Sequence, residues 1–382
     1  MKSFIDLKLA LDFILVAGIV LNGFVIIRLL KKAKWELPFR LLAMVFILSL
    51  ILLINFYAHL HKLELPYLIS FVFEDGSRFL IGPLIFLYIK SIFHKGKNFW
   101  RRNWLHLLPY FVYLFAVSIP LTLTLGVSGY SFGYLIFLVG TQNFTLVKDL
   151  FFIAYLLLSI ILFGQYKRKM ESNYSAIELQ NYNWIGQMVY GTLSIVILDT
   201  LLSLYELMKG GFSFEIGYVT IVGVVFLLVY LLFFGMSQTS IFLPDFLTAH
   251  TLDIPRYKNA KHPTVSLEEV KTIEERLGII ITSEKPYLQQ ELTLNILAEL
   301  IGVPDKKLSS YLNHSLNTSF YDYVNKCRVE EVKEKLQSEE YQKYSLLGLA
   351  FSAGFNSKSS FYRAFKKETG ISPTDFRKKA SS

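Results

Sequence analysis

Between Ser345 and Arg377 the chain gathers Ser357, Lys358, Ser359, Tyr362, Arg363, Lys366 and Lys367 into one short amphipathic run. Hydroxyl, guanidinium and ammonium donors at that density suit a surface lined with acceptors and phosphates, such as the major groove of double-stranded DNA. A smaller set of the same kind, Lys306, Ser309 and Ser310, lies upstream. A different chemistry is implied by Glu74, Asp75, Arg78, Asp199 and Glu206, which stand inside apolar stretches. An ionised group at the centre of a membrane-spanning helix costs about 2.5–3.5 kcal/mol, so these residues need a partner, water or a ligand. Glu74 and Arg78, four residues apart, predict either an ion pair along one helix face or part of a polar ligand pocket.

The elements that position the donor-rich run are legible in its apolar residues. Leu346, Leu349 and Ala350 recur at helical spacing, Gly354-Phe355 interrupts them, and Phe361 and Phe365 begin a second helical period that Gly370 ends. That is two short helices across a tight turn, with a small residue for close approach and a glycine for positive φ. The pattern recurs upstream: Ala298 and Gly302 repeat Ala350 and Gly354 at an offset of 52. After a turn one residue shorter, Leu308, Leu312, Asn317, Ser319 and Tyr323 pair with Phe361, Phe365, Gly370, Ser372 and Phe376 at an offset of 53.

Ala350, Gly354-Phe355, Ser359, Phe361, Arg363, Phe365-Lys366, Gly370, Ser372-Pro373 and Phe376-Arg377 together resemble the signature of the AraC/XylS family of transcriptional regulators. The resemblance implies two helix-turn-helix units joined by a linker helix, Tyr321 to Leu336, and a face that reads promoter DNA. Two positions depart from the family pattern. Asn317 replaces a glycine, a mild change because asparagine tolerates the left-handed region. Val332 stands where alanine is usual and must be absorbed by repacking.

The 382 residues are 53% hydrophobic and 16% aromatic, with 39 Lys and Arg against 30 Asp and Glu. That is too apolar for an ordinary soluble protein and predicts a membrane part. Seven apolar segments satisfy it, near Leu9–Leu30, Phe39–Leu60, Pro66–Phe93, Leu105–Leu125, Thr145–Gln165, Trp184–Met208 and Ile216–Met236. Arg28, Lys31, Lys32, Lys34 and Arg40 flank the first, Lys90 to Arg102 the third, and Lys167 to Lys169 the fifth. The alternate ends carry scattered single lysines such as Lys62 and Lys209. The positive-inside rule then places the N-terminus outside and the C-terminal domain in the cytoplasm, with the DNA. The run FLIGPLIFLYIKSIF, followed after a basic loop by LHLLPYF, resembles the membrane half of AraC-type regulators common in Bacteroidetes-like bacteria.

From Ser237 to Thr264 the chain is polar and punctuated by Pro244, Pro255 and Pro263, which reads as a connector. Ser266-Leu-Glu-Glu269 forms a capping box, after which Val270, Ile273 and Leu277 line one helix face and Gly278 predicts its end. The lone Cys327 excludes an intramolecular disulfide and reads as a structural thiol. Residues 264–340 hold 9 basic and 14 acidic side chains, residues 341–382 hold 8 and 2, so the second unit should dominate phosphate attraction.

No nucleotide-binding glycine loop, nucleophile elbow or HExxH appears, so no enzyme activity, cofactor or metal site is expected. The expectation is an all-α chain with a seven-helix transmembrane module at 1–236, a connector at 237–263 and a two-unit DNA-binding domain at 264–382. It is a multi-pass protein of the inner membrane, contacting lipid and promoter DNA. RNA polymerase, a small-molecule or envelope signal and a second copy are further partners that this reading admits. The competing class is a membrane receptor whose C-terminal helices bind a protein in place of DNA.

Overall fold

The structure is a computed structural model that describes residues 2–33, 37–93, 98–128, 130–171, 179–209, 217–236, 267–338 and 343–380. Nearly all of these are helical, and no strand occurs among them. The chain divides into two compact units. The first comprises Met1–Phe163 with Asn183–Ile254, the second Gly164–Tyr182 with Pro255–Ser382.

The first unit is built from α1 (Lys2–Ala33), α2 (Leu37–Leu60), α3 (Glu64–Glu74), α4 (Arg78–Phe93), α5 (Phe99–Asn103), α6 (Leu108–Tyr113), α7 (Ile119–Ser128), most of α8 (Tyr130–Glu171), most of α9 (Leu179–Lys209) and α10 (Gly217–Met236). Helix α2 is central, packing on α1, α3 and α4, while α1 also meets α10. Leu15, Leu42, Leu53, Leu84, Tyr88 and Leu156 are fully enclosed. Apolar residues also cover the outside, with Phe13 76% and Phe226 68% exposed, as expected of helices that are hydrophobic all round.

Among the described residues five stretches are long and apolar enough to cross a membrane: Leu7–Lys31, Leu37–Leu60, Phe99–Leu123, Thr145–Arg168 and Trp184–Glu206. The sequence expectation of seven is corrected at two places. The segment expected at Pro66–Phe93 is broken into α3 and α4 by a turn at Asp75-Gly76-Ser77, and each half is shorter than the ~20 residues a span needs. The break is packed tightly: a β-carbon on Gly76 would lie 2.9 Å from the Tyr113 ring. The segment expected at Ile216–Met236 is the apolar helix α10, whose 20 residues only just reach the length a span needs, and it is not among the five. Helix α8, by contrast, starts well before the expected Thr145.

The second unit contains α11 (Leu267–Ser283), a 3-10 turn at Pro286–Leu288, α12 (Leu294–Leu300), α13 (Asp305–Ser310), α14 (Phe320–Gln337), α15 (Leu346–Ser352), α16 (Lys358–Thr369) and α17 (Pro373–Ala380). The connector and Ser266 lie outside the described residues. Ile273 and Leu277 of α11 are buried as the spacing predicts, but the helix runs through Gly278 to Ser283. The continuation is explained by Ile280 and Ile281, which pack against the same core.

Two hydrophobic cores hold this unit, and α14 feeds both. Phe320 and Val324 join Leu297, Ala298, Leu308 and Leu312 in one, while Val329 and Val332 join Ala350, Phe355, Phe361 and Phe365 in the other. Val332 is wholly buried there, so the bulk it adds over alanine is accommodated by packing. The internal repeat extends to the helix caps. Thr293 accepts from the Ile296 N–H and Ser345 from that of Gly348, at the 52 offset; Ser319 and Ser372 do the same for Asp322 and Asp375 at 53. Cys327 is half-buried, and burial pushes its thiol up to about 11.

Candidate nucleic-acid interface and buried polar cluster

Helices α15 and α16 are separated by a turn at Ala353–Ser357, and α12 and α13 by one at Ile301–Pro304, one residue shorter. Gly354 and Gly302 have φ of +93° and +68° at matching places in the two turns, and Asn317 adopts φ of +48° where the second copy has Gly370 at +76°. The left-handed reading of Asn317 is thus realised in the backbone.

On α16 the apolar stripe Phe361, Ala364 and Phe365 faces the core, which leaves Lys358, Arg363, Lys366 and Lys367 exposed on the other side. Ser357 caps the helix by accepting from the Ser360 N–H at 3.3 Å, so its hydroxyl is partly occupied by the fold. Ser359 and Tyr362 are half-buried at the edge of the face. The Lys358 ammonium lies 5.5 Å from the Tyr362 ring centroid, and the Tyr362 hydroxyl sits 3.3 Å from that of Thr374.

Two of these cations are held by the start of α14, a feature the sequence reading missed. Arg363 Nη2 donates to the Tyr321 hydroxyl at 3.1 Å, and Lys367 Nζ donates to Asp322 Oδ1 at 2.6 Å. A helical face seen alone gives no sign of such partners, which lie more than 40 residues away in sequence. In the first helix-turn-helix, Lys306 is exposed and Ser309 half-buried, its hydroxyl 3.3 Å from Asn313 Nδ2. Ser310, at the end of the same helix, is buried and so does not share their surface. Exposed Asn313 takes its place beside Lys306 and Ser309.

In the first unit the expected Glu74–Arg78 pair does not form, because the helix is interrupted between them. Arg78 instead forks between two carboxylates, with Nη1 on Asp149 and Nη2 on Asp199 Oδ2 at 2.7 Å. The Thr220 hydroxyl donates to the other oxygen of Asp199. Asp75 is paired with Lys148 at 2.8 Å and accepts from Ser118 at 3.2 Å. Helices α3, α4, α8, α9 and α10 therefore converge on one buried polar cluster. Lys148, Asp149 and Thr220 were missed by sequence reasoning, although the Lys148-Asp149 dipeptide within an apolar run was a usable signal. Glu206 does not join: it is exposed near the far end of α9.

A family model described as a helix-turn-helix domain matches residues 297–379. An uncharacterized HTH-type transcriptional regulator of Staphylococcus aureus (strain COL) is 31% identical over 91 residues, 24% of this chain and 12% of that protein; its counterpart in strain N315 gives the same figures. The melibiose operon regulatory protein of Escherichia coli (strain K12) is 28% identical over 106 residues, 28% of this chain and 33% of that protein. The chain thus spans between an eighth and a third of the length of these curated relatives. No solved structure matches it. The C-terminal region is a helix-turn-helix domain of the AraC type.

Proposed function

We propose that this protein is a membrane-bound transcriptional regulator. Residues 264–382 bind promoter DNA from the cytoplasmic side, residues 237–263 connect, and residues 1–236 anchor the chain in the inner membrane and perceive a signal. The observation that carries the reading is the matched helix-turn-helix domain, whose α16 presents four exposed cations opposite its buried stripe. Contacts of that kind supply affinity through phosphates and discrimination through base edges. The five long apolar stretches, with side chains such as Phe13 and Phe115 turned outward, support placement in a bilayer.

The test is binding of the full chain in lipid nanodiscs to genomic fragments over a salt series. The reading expects preferred fragments, and an affinity that falls linearly on a logarithmic scale as salt rises. Affinity that ignores both sequence and salt would return the C-terminal helices to the protein-binding class.

A further inference from the structure

Between α2, α4, α9 and α10 lies a cavity of about 170 Å³. Most of its wall is apolar, including Phe46, Ile81, Phe152, Met188 and Leu228, and its polar end carries Glu74, Arg78, Asp199 and Thr220. An apolar chamber of that size holds a body about as large as one aromatic ring.

The charges at the polar end do not balance. Four carboxylates, Glu74, Asp75, Asp149 and Asp199, converge with two cations, Arg78 and Lys148. Lys148 is committed to Asp75, and Arg78 is divided between Asp149 and Asp199. Glu74 lines the cavity with no hydrogen bond or ion pair among the described residues. The second oxygen of Asp149, a fully enclosed side chain, is also without a hydrogen-bond partner among them. Carboxylates in such surplus, taken out of water, must be neutralised, by a proton or by a further positive charge or donor that reaches them.

We propose that this cavity is a binding site for a small organic monocation, an ammonium head on an apolar body, with the head against Glu74 and the body among the side chains of α2, α9 and α10. An anionic ligand is disfavoured because the one guanidinium present is already shared by two carboxylates. The proposal rests on the membrane-regulator reading for its meaning, since such a ligand would be the signal. It also explains why α3 and α4 are separate helices. The break at Asp75-Gly76-Ser77 ends α3 at Glu74 and starts α4 at Arg78, so both reach the polar end of the cavity. Non-helical backbone at such depth is tolerated where it is buried in protein beside a cavity.

Equilibrium binding of radiolabelled phenethylammonium to the full chain in phosphatidylcholine nanodiscs tests the site without using DNA, so its failure is separable from failure of promoter binding. Saturable binding is expected, at least tenfold tighter than for phenethyl alcohol or phenylacetate. Affinity should drop at least tenfold in Glu74→Gln and in Thr192→Phe, which fills the cavity and leaves Glu74 in place; tryptophan-fluorescence melting reports whether each variant is folded. Equal affinity for the alcohol, or unchanged affinity in a folded Glu74→Gln, would show an apolar chamber only. Absence of saturable binding by both phenethylammonium and hexylammonium would leave a proton as the compensating charge and overturn the proposal.

Discussion

Arg328 and Gly354 are fitted against each other across the two helix-turn-helix units. A β-carbon at position 354 would stand 2.9 Å from Arg328 Nε and 2.3 Å from the Tyr287 carbonyl oxygen that this same Nε donates to, at 2.7 Å. Arg328 Nη2 donates to the Gln289 carbonyl at 2.8 Å, and the guanidinium lies 5.9 Å from the Phe355 ring centroid. One fully enclosed arginine therefore ties the segment after α11 to the turn between α15 and α16. Burial pulls its guanidinium down to about 10, which still leaves it protonated at neutral pH.

Substituting either partner should therefore weaken the C-terminal domain. Gly354→Ala combines a φ of +93° with a backbone collision, so a loss of roughly 1–3 kcal/mol is the least expected. Arg328→Met leaves the Tyr287 and Gln289 carbonyls unpaired, at about 1–3 kcal/mol for each group. Urea unfolding of fragment 264–382 followed by circular dichroism measures both. A Gly354→Ala midpoint equal to that of the parent would mean the turn relaxes freely.

This pairing shows where sequence reasoning reaches and where it stops. Gly354 was legible, because a glycine between two helical periods states a local backbone need. So was the repeat at offsets of 52 and 53, since each copy must cap and turn by itself. The partner of Arg328 was not legible, nor was the fork from Arg78 to Asp149 and Asp199, since such pairs are fixed by tertiary packing across 38 to 121 residues. The break after Glu74 escaped notice for a related reason. Hydropathy averages over a window, and the apolar runs on either side of Glu74–Arg78 keep the segment apolar without showing whether the helix continues through it. Ser310 misled because the residue type and spacing do not say which side of α13 the core covers, and Ser310 is buried.

Acid should loosen the same domain through Glu331. Burial opposes ionisation of this carboxylate, but hydrogen bonds from Lys285, Tyr287 and Lys335 outweigh it and hold Glu331 below its ordinary value of 4.5. A carboxyl lowered in the folded state contributes stability that is present above about pH 4.5 and lost as pH falls toward the folded value. The unfolding free energy of fragment 264–382 should drop as pH falls below that point. Glu331→Gln should be less stable at pH 7 and show a shallower fall. Parallel curves for the two proteins would assign the acid sensitivity to other groups.

Orientation in the bilayer is checked by fusing a reporter that is active only in the cytoplasm. The distribution of Lys and Arg places Lys34, Arg102, Lys169 and Ser382 inside and Lys62 and Lys209 outside. For Lys62 and Arg102 to lie on opposite sides, the α3–α4 pair must together count as one crossing, and for Lys209 and Ser382 to do so, α10 must be another. Cytoplasmic signal at both Lys209 and Ser382 would mean that α10 does not cross.

Recognition itself should turn on release of the latch at α14. Arg363 is the strongest base-reading candidate because a guanidinium can bond a guanine through two donors, yet in the free protein it holds the Tyr321 hydroxyl. Arg363→Ala should cost about 1–3 kcal/mol on a preferred promoter fragment and relax the preference at one base pair. Lys366→Ala or Lys367→Ala should weaken preferred and random DNA alike, and lower the salt slope by about one for each phosphate no longer neutralised. Tyr321→Phe removes the competing acceptor. A hydrogen bond of this kind has a net worth of about 0.5–1.5 kcal/mol, so that variant should bind the preferred fragment more tightly, by up to roughly tenfold. All four are read by titrating the full chain in nanodiscs with preferred and random duplexes at two salt concentrations. Equal losses on both duplexes for Arg363→Ala would make it a backbone contact. Weaker binding by Tyr321→Phe would show that Tyr321 aims the guanidinium at the groove and does not restrain it.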